Sequence, residues 1–470
     1  MEQGYDQEPT GVATEATAGD VTGVATEDYW LRFRVPPGLM PDPQFDGRRA
    51  RIRVHRVRPV YANGQRPQRA AVLIHGRTVP GPVVFDLRDP ATGGGTLNLS
   101  VQKRLAQAGI DTFAPSLLGY GRSTRFREGL NDPGNASLSA CPTAGPSPPE
   151  GCDRTLNQII NPYDQQDLLT GGNPLTARRA HSSKFRFART DVWVRDIDQV
   201  IDDAIERARP RDRKIALVGY SLGGQHVGRT LYADNPNEQL LYADDNLNED
   251  LHNRDKVIEK VSRVVFLNSF FGARPDLVGM GPTEELDPFG PPTFPLLLDN
   301  RAGSDALWTP VNPNPQACPG RIIEGTKKQV WDQTMEHETV GRDWGTTPWS
   351  GSGSTGGLNR APTFSGYGWN KTVAGKLSKP TLVMQGLEDG VLPTGKGTGK
   401  AIYDALYKDL PSASMPNKVL VEVRCASHAL PWEGCAGTGC RPPHDTFKTA
   451  LIEWIKSGTY KGHANGSFTV

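Results

Sequence analysis

The segment KIALVGYSLGGQHVGRTLYA (214–233) holds Ser221 between Gly219 and Gly223, a G-x-S-x-G spacing. A short unbroken apolar run precedes the serine and a helix-forming stretch follows it, so the spacing predicts strand, tight turn and helix in that order. A serine on such a turn is thrust out of the chain's path, its hydroxyl at a helix N-terminus where developing negative charge is favoured. Side chains at the two flanking positions would strike the neighbouring strand or helix, which is the physical reason for glycine at both. The chemistry open to this hydroxyl is attack on a carbonyl carbon. A serine is a weak nucleophile at neutral pH and needs an imidazole to take its proton and a carboxylate to orient that imidazole. G-x-S-x-G also arises by chance in a chain with 52 glycines; the strand and helix on either side lift it above coincidence.

The rest of the chain must supply a frame for these groups. WLRFRV and RIRVHRVRPVYA alternate apolar and polar residues and predict two half-exposed antiparallel edge strands. RAAVLIHG is a short, unbroken apolar run of the kind a parallel strand shows when both its faces are covered, KIALVGY and KPTLVMQG follow the same buried-strand pattern, and IDTFAPS, VSRVVFLNSFF and KVLVEVRCASH predict further strands. Between them lie helical patterns. TLNLSVQKRLAQAG ends at Gly109; a longer helix from about Asp191 carries Trp193, Ile197, Val200, Ile201, Ala204 and Ile205 on one stripe; TGKAIYDALYKDL and HDTFKTALIEWIKSG follow late. This alternation predicts an α/β fold, a mostly parallel sheet flanked by helices. Two stretches interrupt it: a Pro, Asn, Ser and Gly-rich loop insertion at 124–188, and a Trp, Gly and Pro-rich cap or lid region at 272–372. The expected organisation is a flexible segment 1–27, a first core part 28–271, the cap 272–372 and a second core part 373–470.

With 470 residues the chain can bury a large core and still carry insertions. A formal net charge of +1 provides no general positive field, so nucleic acid is not an expected partner. No apolar run reaches the roughly 18 residues of a membrane span, so integral membrane association is not expected. The first 28 residues lack the basic start and apolar centre of a secretory leader, which fits either a cytoplasmic chain or a secreted or periplasmic mature form. Six cysteines in loop segments, with Cys141 and Cys152 around one loop, Cys425, Cys435 and Cys440 crowded together and Cys318 apart, favour disulfides and the second option. Their spacings lack neighbouring histidines, so a zinc site is not expected.

Three further motifs make the chain resemble the α/β-hydrolase family. LIHGR (73–77) looks like that family's strand and HG oxyanion loop, with His75 and Gly76; LGYGRS (118–123) is similar to its glycine turn; and an acid and a histidine follow late strands in the order serine, acid, histidine. The resemblance covers roughly 50–122, 190–272 and 375–458 and leaves the two insertions unaccounted for. It implies Asp389 in MQGLEDGVLP as the acid, three residues after Gly386, with Glu388 as fallback and Asp276 as an alternative position. It implies His428 as the base, His75 and His226 serving packing or hydrogen bonding instead. The oxyanion hole would be the backbone N–H groups of Leu222 and Arg77.

Five of the nine tryptophans, Trp308, Trp331, Trp344, Trp349 and Trp369, fall in the cap region. Most are expected in the core, with some walling an apolar acyl or aromatic pocket. MEHET (335–339) lacks the H-E-x-x-H metal spacing and reads as solvated helix surface. The expected activity is that of a serine esterase acting on a small-molecule carboxylic ester without a cofactor. The alternatives are a peptidase or acyltransferase using the same triad, or a non-hydrolytic or binding member of the fold.

Overall fold

The computed structural model describes residues 21–37, 43–62, 64–91, 97–126, 190–231, 257–271, 297–312, 314, 318–339, 341–343, 347–361, 369–391, 398–436 and 440–470. Nine strands form one sheet: β1 (Val21–Arg34), β2 (Arg49–Tyr61), β3 (Arg69–Ile74), β4 (Ile110–Ser116), β5 (Ile215–Tyr220), β6 (Val261–Leu267), β9 (Thr381–Gly386), β10 (Lys418–Val423) and β11 (Gly466–Thr469). Two short strands, β7 (Leu297–Asp299) and β8 (Asn359–Ala361), pair separately as an antiparallel ribbon.

The sheet order is β1-β2-β4-β3-β5-β6-β9-β10-β11. β1 pairs antiparallel with β2 and β2 with β4, and all other neighbours are parallel. The two alternating segments are therefore the antiparallel end of the sheet, and the segments from RAAVLIHG onward read as buried-type or further strands are its parallel centre. β1 starts at Val21, so the segment expected to be a lead-in up to residue 27 contributes seven residues of strand. Its small and charged side chains masked a periodicity that pairing along β2 makes possible. β11 is a four-residue strand with a half-exposed, alternating pattern, too short to stand out in the sequence.

Period-two alternation in β3 splits its side chains between the faces of the sheet, Ala70, Val72 and Ile74 to one core and Ala71 and Leu73 to the other. The first face is covered by the helix Thr190–Ala208, whose Trp193, Ile197, Val200, Ile201 and Ala204 are fully buried, with Val227 of the helix Leu222–Leu231 and Ile402 beside it. The second face is covered by the helices Val101–Gln107 and Pro443–Ser457, through Leu105, Phe447, Leu451 and Trp454. Burying each valine, leucine, isoleucine or phenylalanine among these is worth about 1.5–3 kcal/mol. Ser100 caps the helix Val101–Gln107 by accepting from the Lys103 N–H at 3.0 Å.

The Trp, Gly and Pro-rich region 272–372 contains helix. Thr326–His337 is a twelve-residue helix. It docks on the core: Arg88 meets Glu336 at 2.5 Å, and the buried Arg125 meets the buried Glu338 at 2.5 Å. MEHET is accordingly not a solvated surface, because Met335 and Glu338 face inward. Trp308, Trp331 and Trp369 are fully buried; Trp369 stacks on Phe266 with ring centroids 5.0 Å apart, and Trp308 lies 5.5 Å from Trp432. These indoles are core. Trp349 is half-buried, and Trp344 lies outside the described residues.

Candidate active site

The parallel strands deliver their C-terminal ends to one edge of the sheet, and there three distant side chains meet. Ser221 follows β5 at φ +54°, a left-handed backbone that a non-glycine residue adopts only when its surroundings enforce it. The glycines enforce it by allowing contact. A Cβ on Gly219 would lie 2.5 Å from the Gly224 Cα, and one on Gly223 would lie 2.4 Å from the His75 carbonyl oxygen. The Ser221 N–H donates to the Leu267 carbonyl at 2.8 Å, tying the turn to the end of β6.

His428 Nε2 lies 2.8 Å from Ser221 Oγ, and His428 Nδ1 lies 2.7 Å from Asp389 Oδ2. All three side chains are buried, Ser221 at 7 % exposure. A carboxylate can only accept, so Nδ1 carries the proton and Nε2 is left to accept from the serine hydroxyl. Asp389 is held in turn by the Val391 N–H at 3.1 Å on its Oδ1. Glu388, the fallback acid, points elsewhere and accepts from the Asn312 N–H at 2.9 Å. Asp276 lies outside the described residues.

His75 is fully occupied. Its Nε2 accepts from the Leu117 N–H at 3.1 Å, which leaves Nδ1–H to donate to the Gly76 carbonyl at 2.7 Å. Burial lowers it to about 4, so it stays neutral. His226 is buried 5.4 Å from the Trp193 ring and is lowered to about 3, first by burial and then by His75. Neither meets the serine hydroxyl. A Cβ on Gly76 would come 2.9 Å from the Ser221 Cβ, so the loop carrying Gly76 and Arg77 runs directly beside the serine. Leu222 opens the helix Leu222–Leu231 and its N–H belongs to the first turn, where no intrahelical acceptor exists. The Arg77 side chain is exposed.

Residues that the sequence did not single out hold the loops in place. Residues 307–309 lie across both the acid and histidine loops: the Leu307 carbonyl accepts from the Ala429 N–H at 3.1 Å, and the Thr309 carbonyl accepts from the Gly390 N–H at 3.0 Å. A disulfide joins Cys318 to Cys425, three residues before His428, and a second joins Cys435 to Cys440. Cys141 and Cys152 lie outside the described residues. Glu433 is completely buried, pairs with Arg321, and accepts from the Ser427 N–H and the Ser427 hydroxyl, each at 2.6 Å. Burial raises its carboxyl above the usual range while Ser427 and Arg321 oppose the shift. Asn268 and Tyr220 bind the backbone around His428. The one available signal for Asn268 and Glu433 was a polar residue at the carboxyl end of a buried strand or within an apolar loop. Only tertiary structure gives such a residue its partner.

Among the described residues no group of three or more His, Cys, Asp or Glu side chains could hold a metal ion, and no helix is long and apolar enough to cross a membrane. No curated protein sequence matches the chain significantly. Solved structures similar to it include a thioesterase domain from the curacin biosynthetic pathway (15 % identity, covering 92 % of this chain and 99 % of that one, TM-score 0.40). Others are a serine hydrolase from the polyaromatic-hydrocarbon-degrading bacterium Cycloclasticus zankles (12 % identity, 93 % and 100 % coverage, TM-score 0.40) and an esterase from Exiguobacterium antarcticum (12 % identity, 87 % and 96 % coverage, TM-score 0.35). The model of the alpha/beta hydrolase family matches residues 71–436, a span that runs from β3 through the serine turn to just beyond His428, and the chain belongs to that family.

Proposed function

We propose that the protein is a serine hydrolase that cleaves a small-molecule carboxylic ester through an acyl-serine intermediate. The observation carrying this reading is the unbroken line of hydrogen bonds from Ser221 Oγ through His428 to Asp389. As Ser221 attacks the carbonyl carbon, His428 Nε2 takes its proton, and the Asp389 carboxylate stabilises the imidazolium through Nδ1–H. The tetrahedral oxyanion is met by the N–H groups of Leu222 and Arg77, each such donor being worth about 10²–10³ in kcat. His428 then gives its proton to the leaving alcohol. A water molecule, deprotonated by the same imidazole, attacks the acyl-serine and releases the acid.

Two features support the assignment of roles. Ser221 is held in a strained conformation with its hydroxyl already bonded to the base, so little reorganisation precedes attack. The other buried histidines of this region, His75 and His226, are neutral and engaged in packing or in bonds to backbone, so neither competes as the base.

The test is incubation with a fluorophosphonate followed by mass mapping. The expected result is a single adduct on Ser221 whose formation is lost in His428→Ala. Labelling at another residue, or none at all, refutes the reading. Hydrolysis of a graded ester panel with competing amine and alcohol acceptors then separates esterase from peptidase or acyltransferase turnover.

A further inference from the structure

Asn268 follows the last residue of β6 and is completely buried, at φ +43°. Asparagine is among the few non-glycine residues that enter this left-handed region readily. Its backbone N–H extends the ladder onto β9 by donating to the Met384 carbonyl at 2.9 Å. Its side chain makes three hydrogen bonds to backbone. Oδ1 accepts from the Gly386 N–H at 2.8 Å, and Nδ2 donates to the carbonyls of Ser427 at 3.0 Å and His428 at 3.1 Å. The partners fix the amide's orientation, since an N–H requires an acceptor and two carbonyls require donors.

Gly386 ends the strand from which the Asp389 turn departs, and Ser427 and His428 are the histidine loop itself. One amide therefore ties the origin of the acid turn to the backbone of the base. The Tyr220 hydroxyl donates to the same His428 carbonyl at 2.8 Å, from the residue preceding Ser221. The base loop is thus gripped from the nucleophile's strand and from β6, on a carbonyl belonging to the imidazole's own residue. The titratable groups around this grip are Asp389 on the acid turn, His428 and Glu433 on the base loop, and Tyr220.

We propose that Asn268 is a positioning residue for the Ser221–His428–Asp389 line, setting the distance between base and acid by bridging the backbone beneath both. The proposal rests on the reading of Ser221 as nucleophile and His428 as base. An ionised aspartate loses the donors, glutamine is one methylene too long, and leucine makes none of the bonds.

The test uses the full chain with p-nitrophenyl acetate and a fluorophosphonate. Asn268→Asp keeps the size and the acceptor for Gly386 but, when ionised, turns a negative charge on two carbonyls. The expected result at pH 8 is a fall in kcat of about 20-fold or more with KM within about three-fold, because misplacing the base weakens the transition state and not substrate binding. The variant-to-wild-type ratio of kcat should climb on acidification to about pH 5.5, as protonation of the new carboxyl restores an O–H donor. A merely structural lesion lowers the ratio equally at every pH. A ratio near one, or a loss independent of pH, overturns the proposal. Should Asn268→Asp show no cooperative melt, Asn268→Gly keeps the left-handed backbone without burying a charge, removes all three side-chain bonds, and is expected to lower kcat about ten-fold or more at constant KM. Unchanged kcat in that variant likewise overturns the proposal. Wild-type protein that fails to label at Ser221 instead refutes the hydrolase reading on which the inference stands.

Discussion

The Arg321–Glu433 pair fixes the loop that carries His428, and Arg321→Met isolates its contribution. Both side chains are almost wholly enclosed, with the guanidinium at 10 % exposure and the carboxylate at 0 %. Removing the arginine leaves a buried carboxylate without its counter-charge, a change that costs roughly 3–5 kcal/mol when nothing else compensates. Two observations place this case at the lower end. Glu433 retains the Ser427 N–H and Ser427 hydroxyl as donors, and its carboxyl is already raised by burial, so it escapes the full penalty by taking up a proton. The Arg321 Nη2 bond to the Trp308 carbonyl at 3.0 Å is lost as well. The expected destabilisation is about 3 kcal/mol at pH 8. Its pH dependence has a definite sign. With the folded carboxyl raised above its unfolded value, the folded state binds more protons, so the penalty shrinks on acidification and grows as pH rises through the folded value. Urea melts of wild type, Arg321→Met, Glu433→Gln and the double variant at pH 5.5 and 8 provide the measurement. The double variant should recover most of the loss, because it buries no uncompensated charge. A single variant within about 1 kcal/mol of wild type at pH 8, or a double variant as unstable as the sum of the singles, refutes the reasoning.

Ser221→Ala is expected to abolish ester turnover by several orders of magnitude with the melting temperature nearly unchanged, as measured by initial rates and circular dichroism. His55 offers a second pH test. Burial opposes its charge, but hydrogen bonds to Asp28 and Asp86, each 2.9 Å, raise it to about 9. Its contribution, on the order of 2–3 kcal/mol after discounting the half-open Asp28, is complete below pH 6.5 and lost as pH rises through 9. Stability of His55→Gln should therefore fall less than wild type across that window in urea melts, and parallel curves would exclude the bridge. Opening the Cys318–Cys425 bridge, whose ends are 107 positions apart in sequence, should cost about 4–5 kcal/mol on the chain-entropy account, whereas Cys435→Ser with Cys440→Ser should cost far less. Equal melting midpoints for the two variants would contradict that ordering.

Much of the sheet was legible as text. Apolar runs such as RAAVLIHG marked strands covered on both faces, and alternation marked the antiparallel pair at the edge. The stripe on Thr190–Ala208 identified a core helix because a helix must bury one side. The extent of β1 was not legible, since VTGVATED has little apolar character and becomes strand only by pairing along β2. The helix Thr326–His337 was missed for a related reason: its inward face includes Asp332, Gln333 and Thr334, polar residues that no hydrophobic pattern reports.

By itself the amino-acid sequence determined the local devices: the glycine-flanked serine, the strand and helix around it, the HG loop and the order in which acid and histidine candidates follow. Each depends on neighbours a few residues away, where steric and hydrogen-bonding rules act directly along the chain. Tertiary structure alone decided which carboxylate faces His428, which cysteines join among those described, and that Asn268, Tyr220, Arg321 and Glu433 serve the same few ångströms of backbone. Those partners are separated by as many as 208 residues, and hydrogen bonds and ion pairs have a reach of only about 3–4 Å. Their partnership exists only once the sheet has aligned its strand ends.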